Sequence, residues 1–220
     1  MKRLLIFHVG GDLERILHEV TQDGIYQVAG IIAAETASAT IRYFRELAAV
    51  AETDRLGSVF FIVGDARLLN QHRLSAYMEI KRKGWPIVSL KSAAASVAPE
   101  IKLRENVYID RGTRVLSGAN IGANSWVMQG SELGANCKIG SSCWVGSYCR
   151  VSERATLEKN CTLGEGVIIG PDVVLPAWST IKSRSRIMQS PATPVFTDSR
   201  FKSPVFFFDK TLRPRDAGIN

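Results

Sequence analysis

The sequence predicts a small parallel α/β domain that runs directly into a parallel β-helix, and three observations carry that expectation. From Val97 an aliphatic Val, Ile or Leu returns every six residues up to Ile181, fifteen times without an insertion. Residues 1 to 92 instead alternate short apolar runs with stretches of helical spacing. The composition, 45% hydrophobic and 22% charged over 220 residues, fits a globular chain of one large or two ordinary domains.

In the first 92 residues, RLLIFHVG, YQVAGIIAA, SVFFIVG and PIVSL read as short buried strands. Between them, DLERILHEVTQ, SATIRYFRELAAVAE and ARLLNQHRLSAYMEIKRK have the three-to-four-residue apolar period of helices. Alternating strands and helices imply a small, Rossmann-like parallel sheet with any ligand at the carboxyl ends of its strands. HVGGD ends the first strand and VGD the third, so His8, Gly10, Gly11, Asp12, Gly64 and Asp65 are the candidate ligand-binding residues. His18 and His72, on helices, read as structural.

A hexapeptide period is the mark of a parallel β-helix, in which each triangular turn uses three hexapeptides and each contributes one apolar side chain to a shared core. Residues 97 to 186 then make about five turns. The fifth residue of each hexapeptide, from Ile101 through Thr113, Ser125, Cys137, Cys143, Cys149 and Cys161 to Ser185, is small or β-branched. This column reads as the second inward position of a narrow prism, with the cysteines as small fillers. A metal site favours paired cysteine spacings with histidine nearby, and residues 97 to 186 hold no histidine. No metal is therefore expected. Gly122, Gly134, Gly140, Gly146, Gly164 and Gly170 each follow the apolar residue, a position read as a corner needing left-handed φ.

Residues eighteen apart stack on one another. Tyr108, Trp126 and Trp144 form an aromatic ladder, expected to pack against a neighbouring subunit or to offer a platform for a nucleobase, with Trp144 a candidate for the latter. Arg114, Glu132 and Arg150 form a ladder of alternating sign on another face, read as a solvated salt-bridge row. A carboxylate paired to two guanidiniums is a poor proton acceptor.

The opening residues MKRLLIFHVGGDLERIL are too briefly apolar for a membrane span and lack a signal cleavage site, so a cytoplasmic protein with reduced thiols is expected. Residues 1 to 96 carry 12 basic and 10 acidic side chains and residues 97 to 181 carry 8 of each. The net charge of +7 thus comes mainly from residues 182 to 220, with 8 basic and 3 acidic. No basic face with stacking groups marks the folded part, which argues against nucleic acid as a partner. Lys182, Arg184 and Arg186 leave the last turn in alternation, suited to phosphates. The basic tail over 187 to 220 is aromatic, and Phe196, Phe201, Phe206, Phe207 and Phe208 are expected to pack on the helix or a neighbour.

An α/β domain that opens with a strand and a Gly pair, followed by an uninterrupted hexapeptide helix, resembles the sugar acyltransferases of the sialic acid O-acetyltransferase and bacillosamine N-acetyltransferase group. The likeness covers residues 2 to 195. It implies a left-handed β-helix, a homotrimer, a nucleotide-linked sugar on the N-terminal domain and acetyl-CoA between neighbouring helices. KSRSRIMQSPATPV resembles the group's closing stretch, which would bring Pro191 and Ala192 near the nucleotide end of the cofactor. The chain departs from the group in three places. Its first turn reads HVGGD where the group has Gly-x-Gly-Gly-His, and Ala33 and Ala34 stand where many members have an acidic pair. The mid-helix slot that holds a histidine base in many members is here Gln129 or Ala135.

General-base help is worth about 10²–10⁴-fold, a loss that a neutral amine nucleophile can survive with positioning and oxyanion donors. The expectation is therefore an acyl-CoA-dependent N-acyltransferase acting by direct transfer on a nucleotide-linked amino sugar for surface polysaccharide. Gln129, Glu132 and Glu153 are the candidate catalytic residues. The alternative is a non-catalytic hexapeptide protein with a structural or regulatory role in such a pathway.

Overall fold

The computed structural model describes residues 1–33, 58–66 and 70–197. Its first body is a three-stranded parallel sheet of order β2-β1-β3, built from β1 (Lys2–His8), β2 (Tyr26–Ala33) and β3 (Ser58–Val63). Helix α1 (Leu13–Asp23) follows β1, and α2 (Gln71–Arg82) follows β3. Because successive strand side chains point to opposite faces, β1 and β3 are divided between two cores. Leu4, Ile6, Phe61 and Val63 meet Ile16 and Val20 of α1, while Leu5, Phe7, Phe60 and Ile62 meet Ala76 and Ile80 of α2.

The anticipated fourth strand is an edge segment, not a full ladder. Phe60 N donates to Pro86 O and Val88 N to Phe60 O. Two residues further the chain already belongs to the β-helix. The helix sequence anticipated over 38 to 52 lies outside the described residues.

The second body is a left-handed β-helix of two-residue strands, β4 (Leu90–Lys91) to β19 (Arg186–Ile187), stacked in parallel into three faces. Face one holds β4, β6 (Tyr108–Ile109), β9 (Trp126–Val127), β12 (Trp144–Val145), β15 (Thr162–Leu163) and β18 (Thr180–Ile181). Face two holds the strands at Ser96, Arg114, Glu132, Arg150, Ile168 and Arg186, and face three those at Asn120, Lys138, Thr156 and Val174. Strand register joins residues eighteen apart, Glu132 with Arg114 and Arg150 and Trp144 with Trp126. The aliphatic column and the small column form one continuous core, with Val115, Val127, Leu133, Val145, Val151 and Leu163 at its centre.

The small column also carries hydrogen bonds. Ser125 Oγ donates to Gly140 O (2.7 Å) and Ser131 Oγ to Gly146 O (2.8 Å), fifteen residues on. Cys143, Cys149 and Cys161 repeat that step, their Sγ donating to Glu158 O (3.1 Å), Gly164 O (3.0 Å) and Pro176 O (3.2 Å). The cysteines thus fill the prism and satisfy carbonyls of the next coil. Burial pushes the Cys137 thiol up to about 12 and that of Cys149 up to about 11. Cys161 is also pushed up, first by its hydrogen bond with Cys143 and then by burial. All four free thiols are buried and out of a reagent's reach, so they should be silent to a disulfide reagent at pH 8 and react only in denaturant. Rapid modification of the native protein would contradict this packing.

The left-handed corners are not where the glycines after the aliphatic residue suggested. Positive φ falls three residues after the aliphatic position, at Asn106, Gly112, Gly118, Asn124, Gly130, Asn136, Ser142, Tyr148 and onward to Arg184. Glycine is instead required at 134 and 140 by close approach, because a Cβ there would meet backbone of the next coil at 2.6 Å.

The three corners differ in chemistry. Between faces three and one, Asn106, Asn124 and Ser142 are buried and joined in a ladder, Asn106 Nδ2 to Asn124 Oδ1 (2.8 Å) and Asn124 Nδ2 to Ser142 Oγ (3.0 Å). This corner receives the α/β domain. Asn106 Oδ1 accepts from Ile62 N (2.8 Å) and its Nδ2 donates to Ile62 O (3.3 Å), so a side-chain amide completes the free edge of β3. Between faces two and three, Arg154 pairs with Asp172 (2.7 Å). The corner between faces one and two is left open.

The aromatic ladder is likewise covered by the chain's own domain, which corrects both sequence readings of it. Trp126 is 1% exposed, stacks on Phe61 (centroids 5.6 Å) and Trp144 (5.8 Å), and sits in one cluster with Leu4, Ile6 and Ile16. Arg73 of α2 lies wholly buried over both indoles, 5.6 Å from Trp126 and 5.5 Å from Trp144. Its guanidinium donates to the carbonyls of Asp65, Asn124 and Cys143. Burial lowers its pKa to about 9, and it stays charged at neutral pH.

Candidate functional site

The open corner begins beside the β1–α1 turn. Gly10 and Gly11 have φ of 130° and 81°, and a Cβ on Gly11 would meet Gly64 O at 2.4 Å, so the Gly pair lets this turn close against the end of β3. His8 Nε2 lies 3.2 Å from Gly11 O, across the turn. Asp12 caps α1, its Oδ1 accepting from Arg15 N at 3.0 Å. Gly64 is buried against Arg73 Cβ, and the carbonyl of Asp65 accepts from Arg73. The six anticipated binding residues therefore share one edge of the sheet, but Asp12 and Gly64 have evident structural work there.

Arg15 links this turn to the β-helix. Its Nη1 donates to Asp110 Oδ2 at 3.0 Å, and Asp110 is fully buried. Four donors fill that carboxylate: Tyr108 Oη (3.1 Å) and Arg111 N (2.8 Å) on Oδ1, Gln129 N (3.1 Å) and Arg15 on Oδ2. Burial pushes the Tyr108 hydroxyl well above its ordinary range, which keeps it a donor. A carboxylate has about four acceptor sites, so Asp110 is saturated and structural. Neither Arg15 nor Asp110 was legible as part of the site, since 95 residues separate the pair.

Gln129 stands next on the same corner. Its Oε1 accepts from Arg111 Nε at 3.4 Å, and its Nε2 donates to Tyr148 Oη at 3.3 Å. Ala135, the other slot, is on a different corner. Glu132 lies on face two between Arg114 (3.0 Å) and Arg150 (3.6 Å), as the ladder implied. Glu153 is one corner further round, exposed and paired to Arg154 (3.1 Å). The three candidate catalytic residues are thus not one cluster, and only Gln129 adjoins the β1–α1 turn through hydrogen bonds.

Above Gln129 the left-handed residues of this corner are Gly130, Tyr148, Gly166 and Arg184. Lys182 and Arg184 are exposed at its upper end, three coils or roughly 14 Å from Gln129. Arg186 is exposed on face two. Pro191 and Ala192 follow the last strand, and Phe196 returns to the stack through a parallel bridge with Thr180. Phe201, Phe206, Phe207, Phe208 and Ala34 lie outside the described residues. Trp144 belongs to the domain contact under Arg73 and Trp126, not to a free platform on this corner. His18 is exposed on α1 and His72 half-buried on α2. Among the described residues, no helix is long and apolar enough to cross a membrane, and no three His, Cys, Asp or Glu side chains cluster as metal ligands.

Fold and corner together define a class: an α/β domain docked on a left-handed hexapeptide β-helix, with an open corner running from the glycine turn to a basic exit. Within the helix, residues 88–194 match the family model described as the GMPPB C-terminal domain. Three solved structures share the architecture over nearly the whole chain. PerB from Caulobacter crescentus, in complex with CoA and GDP-perosamine, is 17% identical over 90% of this chain and 95% of its own, with TM-score 0.68. A histidine-to-alanine variant of the GDP-perosamine N-acetyltransferase from the same organism is 18% identical over 95% and 98%, with TM-score 0.70. WeeI from Acinetobacter baumannii is 14% identical over 93% and 100%, with TM-score 0.69. The fold is thus the one these three structures share, an α/β domain followed by a β-helix, as the sequence resemblance implied. No curated protein matches the sequence.

Proposed function

We propose that the protein is an acyl-CoA-dependent acyltransferase that acetylates the amine of a nucleotide-linked amino sugar, with acetyl-CoA as co-substrate. The observation that carries this reading is the open corner, which joins the β1–α1 glycine turn, through Arg15 and Asp110, to Gln129 and then to Lys182 and Arg184. In this reading His8, Gly10 and Gly11 receive the nucleotide sugar, the pantetheine arm follows the glycine-lined corner, and Lys182, Arg184 and Arg186 meet the coenzyme phosphates. The perosamine enzymes bind CoA and a GDP-linked sugar on the same architecture, which supports the pairing of ligands.

The reaction is a direct transfer. The amine lone pair adds to the thioester carbonyl carbon, the C–S bond breaks, and the proton released from nitrogen ends on the CoA thiolate. No side chain need form a covalent intermediate. With Asp110 saturated and Gln129 in the corner, the amine must arrive neutral. The further reading is a homotrimer acting in the cytoplasm in surface polysaccharide assembly, and a clean monomer by light scattering would contradict the trimer.

Calorimetric titration with acetyl-CoA tests the function. Binding is expected in the micromolar range, weakened at least about tenfold in Lys182→Ala combined with Arg184→Ala. A folded protein that does not bind acetyl-CoA would leave the non-catalytic role, for which the absence of histidine from residues 97 to 220 speaks.

A further inference from the structure

Tyr148 is the one aromatic side chain at a left-handed position on the open corner. A bulky residue at φ 56° is costly, and the positions one coil below and above it are Gly130 and Gly166. Its ring lies over Gly130, where a Cβ would meet the ring carbons at 2.6 Å, and yet the side chain is 59% exposed. The ring is therefore seated by a glycine beneath it and presented to the corner instead of being packed away.

The hydrogen-bond directions then fix what its hydroxyl can do. Arg111 occupies the Gln129 carbonyl, so the Gln129 amide turns its N–H toward Tyr148 Oη. An oxygen that accepts from an amide keeps its own hydrogen to give. The Asp110 carboxylate beside Gln129 is filled by four donors and takes none of it. The chain from Arg111 through Gln129 thus ends on a free hydroxyl donor at the corner, which suits a developing oxyanion.

Building on the acyltransferase reading, we infer that Tyr148 is a catalytic residue whose O–H donates to the thioester oxygen of acetyl-CoA, with Arg111 and Gln129 as the residues that position it. As the amine adds, the carbonyl π pair moves onto that oxygen, and Tyr148 holds the oxyanion without giving up its proton. Collapse restores the carbonyl and expels the thiolate.

The test uses full-length protein and acetyl-CoA labelled with ¹³C at the carbonyl, followed by isotope-edited infrared difference spectroscopy, so no acceptor sugar need be known. Bound to the wild type, the carbonyl stretch is expected to shift to lower frequency. In Tyr148→Phe that shift should be lost while the calorimetric Kd changes less than about twofold, since ground-state binding rests elsewhere. With any amino-sugar nucleotide that supports turnover, the same variant should lose about 10²-fold in kcat. An unchanged stretch in a Tyr148→Phe protein that still binds acetyl-CoA overturns the role of Tyr148 and leaves the acyltransferase reading standing. Absence of acetyl-CoA binding in both proteins overturns the two together.

Discussion

Trp126→Ala is expected to cost about 3–5 kcal/mol and to split unfolding into two transitions, with the α/β domain lost first. The indole is buried at the contact between domains, stacked between Phe61 and Trp144 with Tyr108 at 4.9 Å and the Arg73 guanidinium over it. Its removal leaves a cavity that a stack of hydrogen-bonded coils cannot close. It also withdraws one of the two rings that compensate a buried cation whose guanidinium donates to backbone carbonyls. The β-helix, with its separate core of aliphatic and small columns, has no need of that contact. Urea unfolding followed by near-ultraviolet and far-ultraviolet circular dichroism checks this, and a single unshifted transition would show that the domains do not depend on Trp126.

Gly134→Ala is expected to cost about 3 kcal/mol or more, toward the upper end of overpacking, although it adds one methyl group. Its Cβ would meet Glu153 N at 2.6 Å and Ser152 C at 2.7 Å, and both atoms are backbone of a coil held by Gly134 N to Val151 O. Neither atom can swing aside as a side-chain tip could. Gly166→Asn is the control. Gly166 has φ 66°, its nearest neighbour is Arg184 Cγ at 3.6 Å, and Asn occupies the same left-handed position at 106, 124, 136 and 160. That variant should stay within about 0.5 kcal/mol of the parent. Equal losses in the two variants by thermal unfolding would show that close approach is not what makes glycine necessary after the aliphatic residue.

Of the candidate site, the glycine turn and the basic exit were legible because each is a local motif. Gln129 was legible only as the place where a histidine was missing. Arg15, Asp110, Arg111 and Tyr148 were not, because what matters in them is a hydrogen-bond partner eighteen or more residues away in all four contacts that define the corner. Glu132 and Glu153 looked equivalent to Gln129 as polar side chains of the same repeat. Their ion pairs with Arg114, Arg150 and Arg154 and their places around the coil separate them from it.

By itself the sequence determined the β-helix, its eighteen-residue stacking and the order of the two domains. A period of six is written in neighbouring residues, and burying one aliphatic side chain per hexapeptide leaves the chain a single way to coil. Only the tertiary structure decided what covers each face and where each corner turns. The period identifies a column but not its φ, so the left-handed positions fell three residues beyond the aliphatic one. Nor does the period say which outer ladder meets the other domain. That choice rests on Asn106 completing the edge of β3 and on Arg73 over two indoles, contacts between segments whose distance along the chain leaves no local trace.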